Sequence, residues 1–309
     1  MGIGLELTPQ DVAARANFAT MDPGGVITDR RAGRIATENN QMLCLKLQSS
    51  ITSIDDAQVI IRHGKEHRFV VVFRGPGLSG DITDTDPQHE GKKPLPPKTV
   101  FSDAEKTAGI VEKFLIRANQ ALKDDLPANT VLMRGFAKHP EIPSFKERYG
   151  LKAAAIAAYP MYKGLARLVG MADLPTGETV EEQFQTLRDR YQDFDFFYIH
   201  VKKTDTFGED GNFNAKVQVL NELDAALPMV TKLNPDVLVL TGDHSTPARM
   251  QGHSWHPNPF LIYSPYVRPD HSDSFTERNC SKGSLSRFPA VEAMPLMLAN
   301  ALKLSKFGA

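Results

Sequence analysis

Cysteine is scarce. Cys44 and Cys280 are the two in 309 residues, and they lie far apart without a CxxC spacing. A disulfide framework and a cysteine-built zinc site are thereby excluded, and free thiols in a reducing compartment are the expected state. Long apolar runs are also missing: none approaches the ~20 residues of a membrane span. The opening Met1-Gly-Ile-Gly-Leu-Glu-Leu has neither the basic start nor the apolar stretch of a signal peptide. Neither sign of charge dominates, since 36 Lys and Arg face 37 Asp and Glu. Nothing global therefore points to nucleic acid or an anionic membrane. A cytoplasmic protein is expected, and 41% hydrophobic residues suffice for a substantial core.

An opening βα unit is absent as well. Leu7-Thr8-Pro9-Gln10-Asp11 resembles a cap leading into a short segment over residues 12–19. The turn Asp22-Pro-Gly-Gly25 precedes the basic group Arg30-Arg31-Ala-Gly33-Arg34, and a helix is expected over 37–47. Residues 57–62 and 68–73 read as paired strands, 75–97 as a long Gly/Pro-rich loop, and 103–123 as a helix. From residue 131 a β and α alternation suggests a parallel sheet. Its strands fall at 131–135, 153–158, 193–201, 237–240 and 259–264, and its helices at 144–149, 162–169, 180–191, 215–227 and 289–304. Thr179 and Glu182 have the spacing of a capping box.

The chemistry centres on Asp236-Val-Leu-Val-Leu-Thr-Gly-Asp243-His244-Ser-Thr-Pro247. The unbroken apolar run reads as a buried parallel strand. It ends by placing a carboxylate and an imidazole at the strand's C-terminal edge, where open α/β sheets bind ligands. Alone, Gly-Asp-His is equally compatible with a capping Asp beside a bystander His. After the strand at 193–201, however, Asp205 and Glu209 follow four residues apart in a Gly-containing loop, and His253 enters another strand. Acid and imidazole groups beside successive strands favour a site for divalent metal, with donors suited to manganese or zinc over calcium.

The runs Thr204-Asp205-Thr-Phe-Gly208-Glu209-Asp210-Gly211-Asn-Phe-Asn-Ala-Lys216, Thr241-Gly-Asp243-His244-Ser-Thr-Pro247 and His253-Ser-Trp-His-Pro-Asn-Pro259 carry a further message. They resemble the cofactor-independent phosphoglycerate mutases of archaeal type, members of the alkaline phosphatase superfamily. Met133-Arg134-Gly135, the stretch from Pro143, Asp11 to Phe18, Asp29 to Arg34 and the tail 287–309 fit the same family. The resemblance implies an α/β fold, with an alkaline-phosphatase-like, doubly wound, mostly parallel sheet and an inserted smaller α/β domain. Residues 1–24 and 130–309 would form the metal-binding core, and 25–129 the inserted domain that closes over substrate.

It also implies two divalent ions, with Asp205, Glu209 and His253 holding one and Asp243 and His244 the other. Arg134 and Lys163 match positions facing substrate phosphate or carboxylate. Among the inserted-domain arginines, Arg31 and Arg34 flank Gly33, where backbone can approach a trianionic phosphoglycerate closely. The reaction would interconvert 3-phosphoglycerate and 2-phosphoglycerate through a phosphoserine. The family places His where Glu209 stands here, and the extra anion hardens the site toward manganese or magnesium over zinc. Manganese leads the expected ions, with magnesium, zinc and cobalt as the other candidates. The family's metal-bridging Asp-Gly and nucleophilic Ser precede the point where this chain begins. The expectation is therefore a fragment, a mis-assigned start, or one half of a split enzyme whose partner is a separately encoded N-terminal half. The alternatives are a metal-dependent phosphatase of the same superfamily and a catalytically inactive metal-binding piece.

Overall fold

A computed structural model describes residues 1–304, so residues 305–309 of the family-like tail lie outside the described residues. The chain divides into two units, Met1–Ile142 and Pro143–Ala309. No helix of the described residues is long and apolar enough to cross a membrane.

The first unit is built on β1 (Asp11–Met21), a strand of 11 residues. Val12, Ala14, Ala16 and Phe18 are all buried on one face, the period-2 pattern of a half-covered strand. Antiparallel partners are β2 (Ile27–Asp29), β5 (Arg68–Arg74) and β6 (Thr130–Lys138), and β3 (Ser53–Ile54) and β4 (Ala57–His63) extend the sheet beyond β5. Helices α1 (Thr37–Ser50) and α2 (Glu105–Leu122) supply the covering layer. On α2, Ile110, Phe114, Ala118 and Leu122 recur every four residues and enter the core with Cys44 and Leu47 of α1. Phe18 stacks on Phe69 at 4.3 Å, and Phe73 meets Phe114 edge-on at 5.6 Å.

The short segment expected at 12–19 is thus the longest strand of this sheet, and the strand at 131–135 pairs antiparallel with it. β1 and β6 share the core with α1 and α2, so residues 1–24 and 130–142 pack in one unit with 25–129.

The second unit holds the parallel pairing. β7 (Ala153–Ala157) is wholly buried and lies between β8 (Ala172–Asp173) and β9 (Phe196–His200), parallel to both. Its helices include α3 (Phe145–Tyr149), α4 (Pro160–Leu168), α5 (Val180–Arg190), α6 (Lys203–Glu209) and α7 (Phe213–Ala226). The Thr179–Glu182 capping box forms, and Val180, Phe184 and Leu187 of α5 pack on Ala154 and Ile156. The α/β class stands. The run at 237–240 differs from expectation: β10 (Leu238–Thr241) pairs antiparallel with β11 (Phe260–Tyr263), and both are only half-buried.

Candidate metal centre

Three short segments of the second unit meet. β9 delivers His200 and runs through Val201 and Lys202 into α6, which carries Asp205 and Glu209 one turn apart on one face. This helix replaces the expected loop. β10 ends in Gly242-Asp243-His244. The bridge Ser245↔Ser254 then brings His253 beside His244, with ring centroids 4.1 Å apart.

Gly208 sets the approach of α6 to this loop. A Cβ there would stand 2.2 Å from the Thr246 carbonyl oxygen, so only glycine lets the backbones come this close. Lys216 of α7 donates to that carbonyl at 2.7 Å.

The distances fit a cation. Asp205 Oδ1 lies 3.6 Å from His253 Nε2 and 3.7 Å from His244 Nδ1, and His253 Nε2 lies 3.7 Å from Glu209 Oε1. His244 Nε2 is 3.5 Å from Asp243 Oδ2, which His200 Nε2 approaches to 3.9 Å. Two donors each about 2.1 Å from one ion stand no more than about 4.2 Å apart, so these spacings suit metal ligation. One ligand atom each from Asp205, His244 and His253 lie within 4.8 Å of one another. All five expected donors are brought together, but His244 lies within reach of both groups.

Supporting residues surround the donors. Lys202 donates to Asp205 Oδ2, and the Thr246 hydroxyl donates to Asp205 Oδ1 at 2.5 Å. Burial pushes the Asp205 carboxyl up, but these hydrogen bonds and the Lys202 charge outweigh it and hold Asp205 below the usual carboxylate range. Burial likewise opposes ionisation of Asp243. The Tyr162 hydrogen bond, His244 and backbone N–H groups reverse the balance. His200 is buried and pushed down to about 4, chiefly by desolvation, so its imidazole is neutral at pH 7. Asp205 is 8% exposed, whereas the side chains of His253 and Glu209 are 58% and 54% exposed and open to solvent.

The expected substrate residues are divided between the units. Lys163 sits half-buried on α4, next to Tyr162. Arg134 is on β6, its Nη1 4.0 Å from Asp86 Oδ2. Arg31 and Arg34 are exposed around Gly33, whose φ of 65° and N–H bond to Asp29 Oδ2 shape the turn. Asp86 is buried and forked by Arg30 at 2.9 and 2.6 Å. Sequence reading missed Asp86, Tyr162, His200, Lys202, Lys216 and Thr246. The signal available was adjacency to chosen residues: Tyr162 precedes Lys163, and Thr246 follows His244 by two.

Comparison with known proteins places the chain. A model of the metalloenzyme superfamily matches residues 104–300, and one of 2,3-bisphosphoglycerate-independent phosphoglycerate mutase matches residues 1–129. The chain is 49% identical to a probable 2,3-bisphosphoglycerate-independent phosphoglycerate mutase of Aquifex aeolicus, over all of this chain and 78% of that protein. It is 50% identical to the protein of the same description from Thermotoga maritima, covering 77% of it. Among solved structures, it is similar to a cofactor-independent phosphoglycerate mutase from Thermoplasma acidophilum. The TM-score there is 0.73 at 29% identity, covering 97% of this chain and 79% of that one. The PH0037 protein from Pyrococcus horikoshii gives 0.78 at 26% identity, over all of this chain and 78% of that one.

Proposed function

Because the chain belongs to the family of 2,3-bisphosphoglycerate-independent phosphoglycerate mutases, we propose that Asp205, Glu209, Asp243, His244 and His253 hold the divalent ions of its reaction. The enzyme interconverts 3-phosphoglycerate and 2-phosphoglycerate, and the metalloenzyme match together with the donor cluster carries the use of divalent metal. The observation behind the site is the convergence of Asp205, His244 and His253 ligand atoms within 4.8 Å.

Two ions would be held, one by Asp205, Glu209 and His253 and one by Asp243 and His244. Three carboxylates against two imidazoles make a hard donor set, which favours manganese or magnesium. Bound cations would neutralise the charge of the transferring phosphoryl group. The protein's own part is to keep Asp205 and Asp243 ionised, His200 uncharged, and α6 closed on the 243–247 loop. Lys163, Arg134, Arg31 and Arg34 would hold the phosphate and carboxylate of the substrate, arginine forks matching both. The nucleophilic serine is assigned to no residue of this chain. The cytoplasm is the proposed setting of the reaction.

Phosphorus NMR of 3-phosphoglycerate with manganese tests the reading, using the purified chain with and without the N-terminal segment of a relative. Formation of 2-phosphoglycerate that Asp205→Ala and His244→Ala abolish, together with bound metal, is expected. Unchanged metal content and turnover in both variants would defeat the site assignment, and release of inorganic phosphate alone would make the enzyme a phosphatase.

A further inference from the structure

Thr246 touches two proposed ligands at once. It is 3% exposed, its hydroxyl lies 2.5 Å from Asp205 Oδ1 and 3.0 Å from His244 Nδ1, and its carbonyl is fastened by Lys216. A hydroxyl has one proton to give and lone pairs to receive. Ionised Asp205 can only accept, so the Thr246 proton goes to Asp205. What remains for His244 is a lone pair, and only a protonated Nδ1 can bond to it.

We infer that Thr246 is a positioning residue that fixes His244 as its Nδ1–H tautomer and thereby commits the ring's Nε2 to the cation shared with Asp243. This rests on the metal-site reading above. Distance alone would let His244 Nδ1 join Asp205 and His253, since it stands 3.7 Å from Asp205 Oδ1. The Thr246 hydroxyl occupies that nitrogen instead. The free lone pair is left on Nε2, which already faces Asp243 Oδ2 at 3.5 Å. An outer hydrogen bond that sets a ligand's tautomer and direction is a recurrent device in metal sites. Here one side chain orders two ligands from different segments, α6 and the loop after β10. Gly208 and Lys216 set the position of the Thr246 backbone, so the hydroxyl is held from both sides.

The test compares wild type, Thr246→Val and Thr246→Ser. Long-range ¹H–¹⁵N spectra of the metal-free protein read the tautomer, and calorimetric titration with manganese reads each binding event. The expected wild-type His244 signal is Nδ1–H, kept in Thr246→Ser. Thr246→Val should lose it and weaken one of two manganese sites by roughly 10–100-fold. An Nδ1–H signal and both affinities unchanged in Thr246→Val would overturn the inference, as would a Thr246→Ser variant as damaged as Thr246→Val. If wild type binds no manganese yet shows the Thr246-dependent tautomer, the hydrogen-bond assignment stands and the metal reading fails.

Discussion

Tyr162 donates its phenolic proton to Oδ2 of Asp243, linking α4 to the end of β10. Its ring also stacks on His200, centroids 3.4 Å apart, so one side chain orients a proposed ligand and the imidazole beside it. Tyr162→Phe removes the bond and keeps the stack. We expect manganese affinity at the Asp243 ion to fall by roughly 10–100-fold with the far-ultraviolet circular dichroism unchanged. Calorimetry showing wild-type affinity would mean that Asp243 needs no such support.

Gly208 is predicted to be intolerant of a side chain. A methyl group at this position collides with the Thr246 carbonyl oxygen, a backbone atom that cannot swing away. Gly208→Ala should cost about 1–3 kcal/mol in urea unfolding and weaken metal binding by separating Asp205 from His244. Stability within about 0.5 kcal/mol of wild type would argue against the tight approach.

Acid should loosen the first unit through His67. This residue is buried, and its Nδ1 has no hydrogen-bond partner among the described residues, with Glu66 Oε2 at 3.8 Å. Desolvation first, then the charges of Arg68, Arg31 and Arg15 against that of Glu66, push its imidazole down to about 4. The unfolded chain therefore takes up a proton near pH 6.5 that the folded chain refuses until about pH 4. The stabilising contribution is full above about pH 6.5 and is lost as pH falls toward about 4, so unfolding free energy drops through that window. Between pH 7 and 5 the wild type should lose roughly 1–2 kcal/mol more than His67→Gln in urea titrations. Parallel losses in both proteins would remove His67 as the cause.

The Arg30–Asp86 fork is predicted to matter more than the surface pairs Lys46–Asp125 and Lys113–Asp55. Arg30→Ala strands a buried carboxylate, with Arg134 no nearer than 4.0 Å as a substitute. The expected loss is about 3 kcal/mol, against less than about 1 kcal/mol for Lys113→Ala. Equal losses in chemical denaturation would show that Asp86 finds another partner.

Helices were the most legible part of the fold in the sequence. Thr179 with Glu182 announces α5, and the fourfold recurrence of apolar residues announces α2. Strand pairing was harder to read. Residues 237–240 form an apolar run whether a strand is buried between parallel neighbours or half-covered beside one antiparallel partner, and the choice of Phe260–Tyr263 is made by tertiary contacts. In β1, alanines at 13, 14, 16 and 19 blunt the alternation that would mark a central strand. The five proposed donors could be named because Asp, Glu and His advertise ligand chemistry. The groups that aim them could not. Thr246 reaches Asp205 across 41 residues and Tyr162 reaches Asp243 across 81, and a hydroxyl carries no sign in the sequence of which partner it will find.

Anomalous scattering at the manganese edge, from crystals grown with manganese, tests the central claim most directly. Two peaks are predicted, one bounded by Asp205, Glu209 and His253 and the other by Asp243 and His244 Nε2. A single peak held by Asp205, His253 and His244 Nδ1 would contradict both the two-ion site and the role given to Thr246.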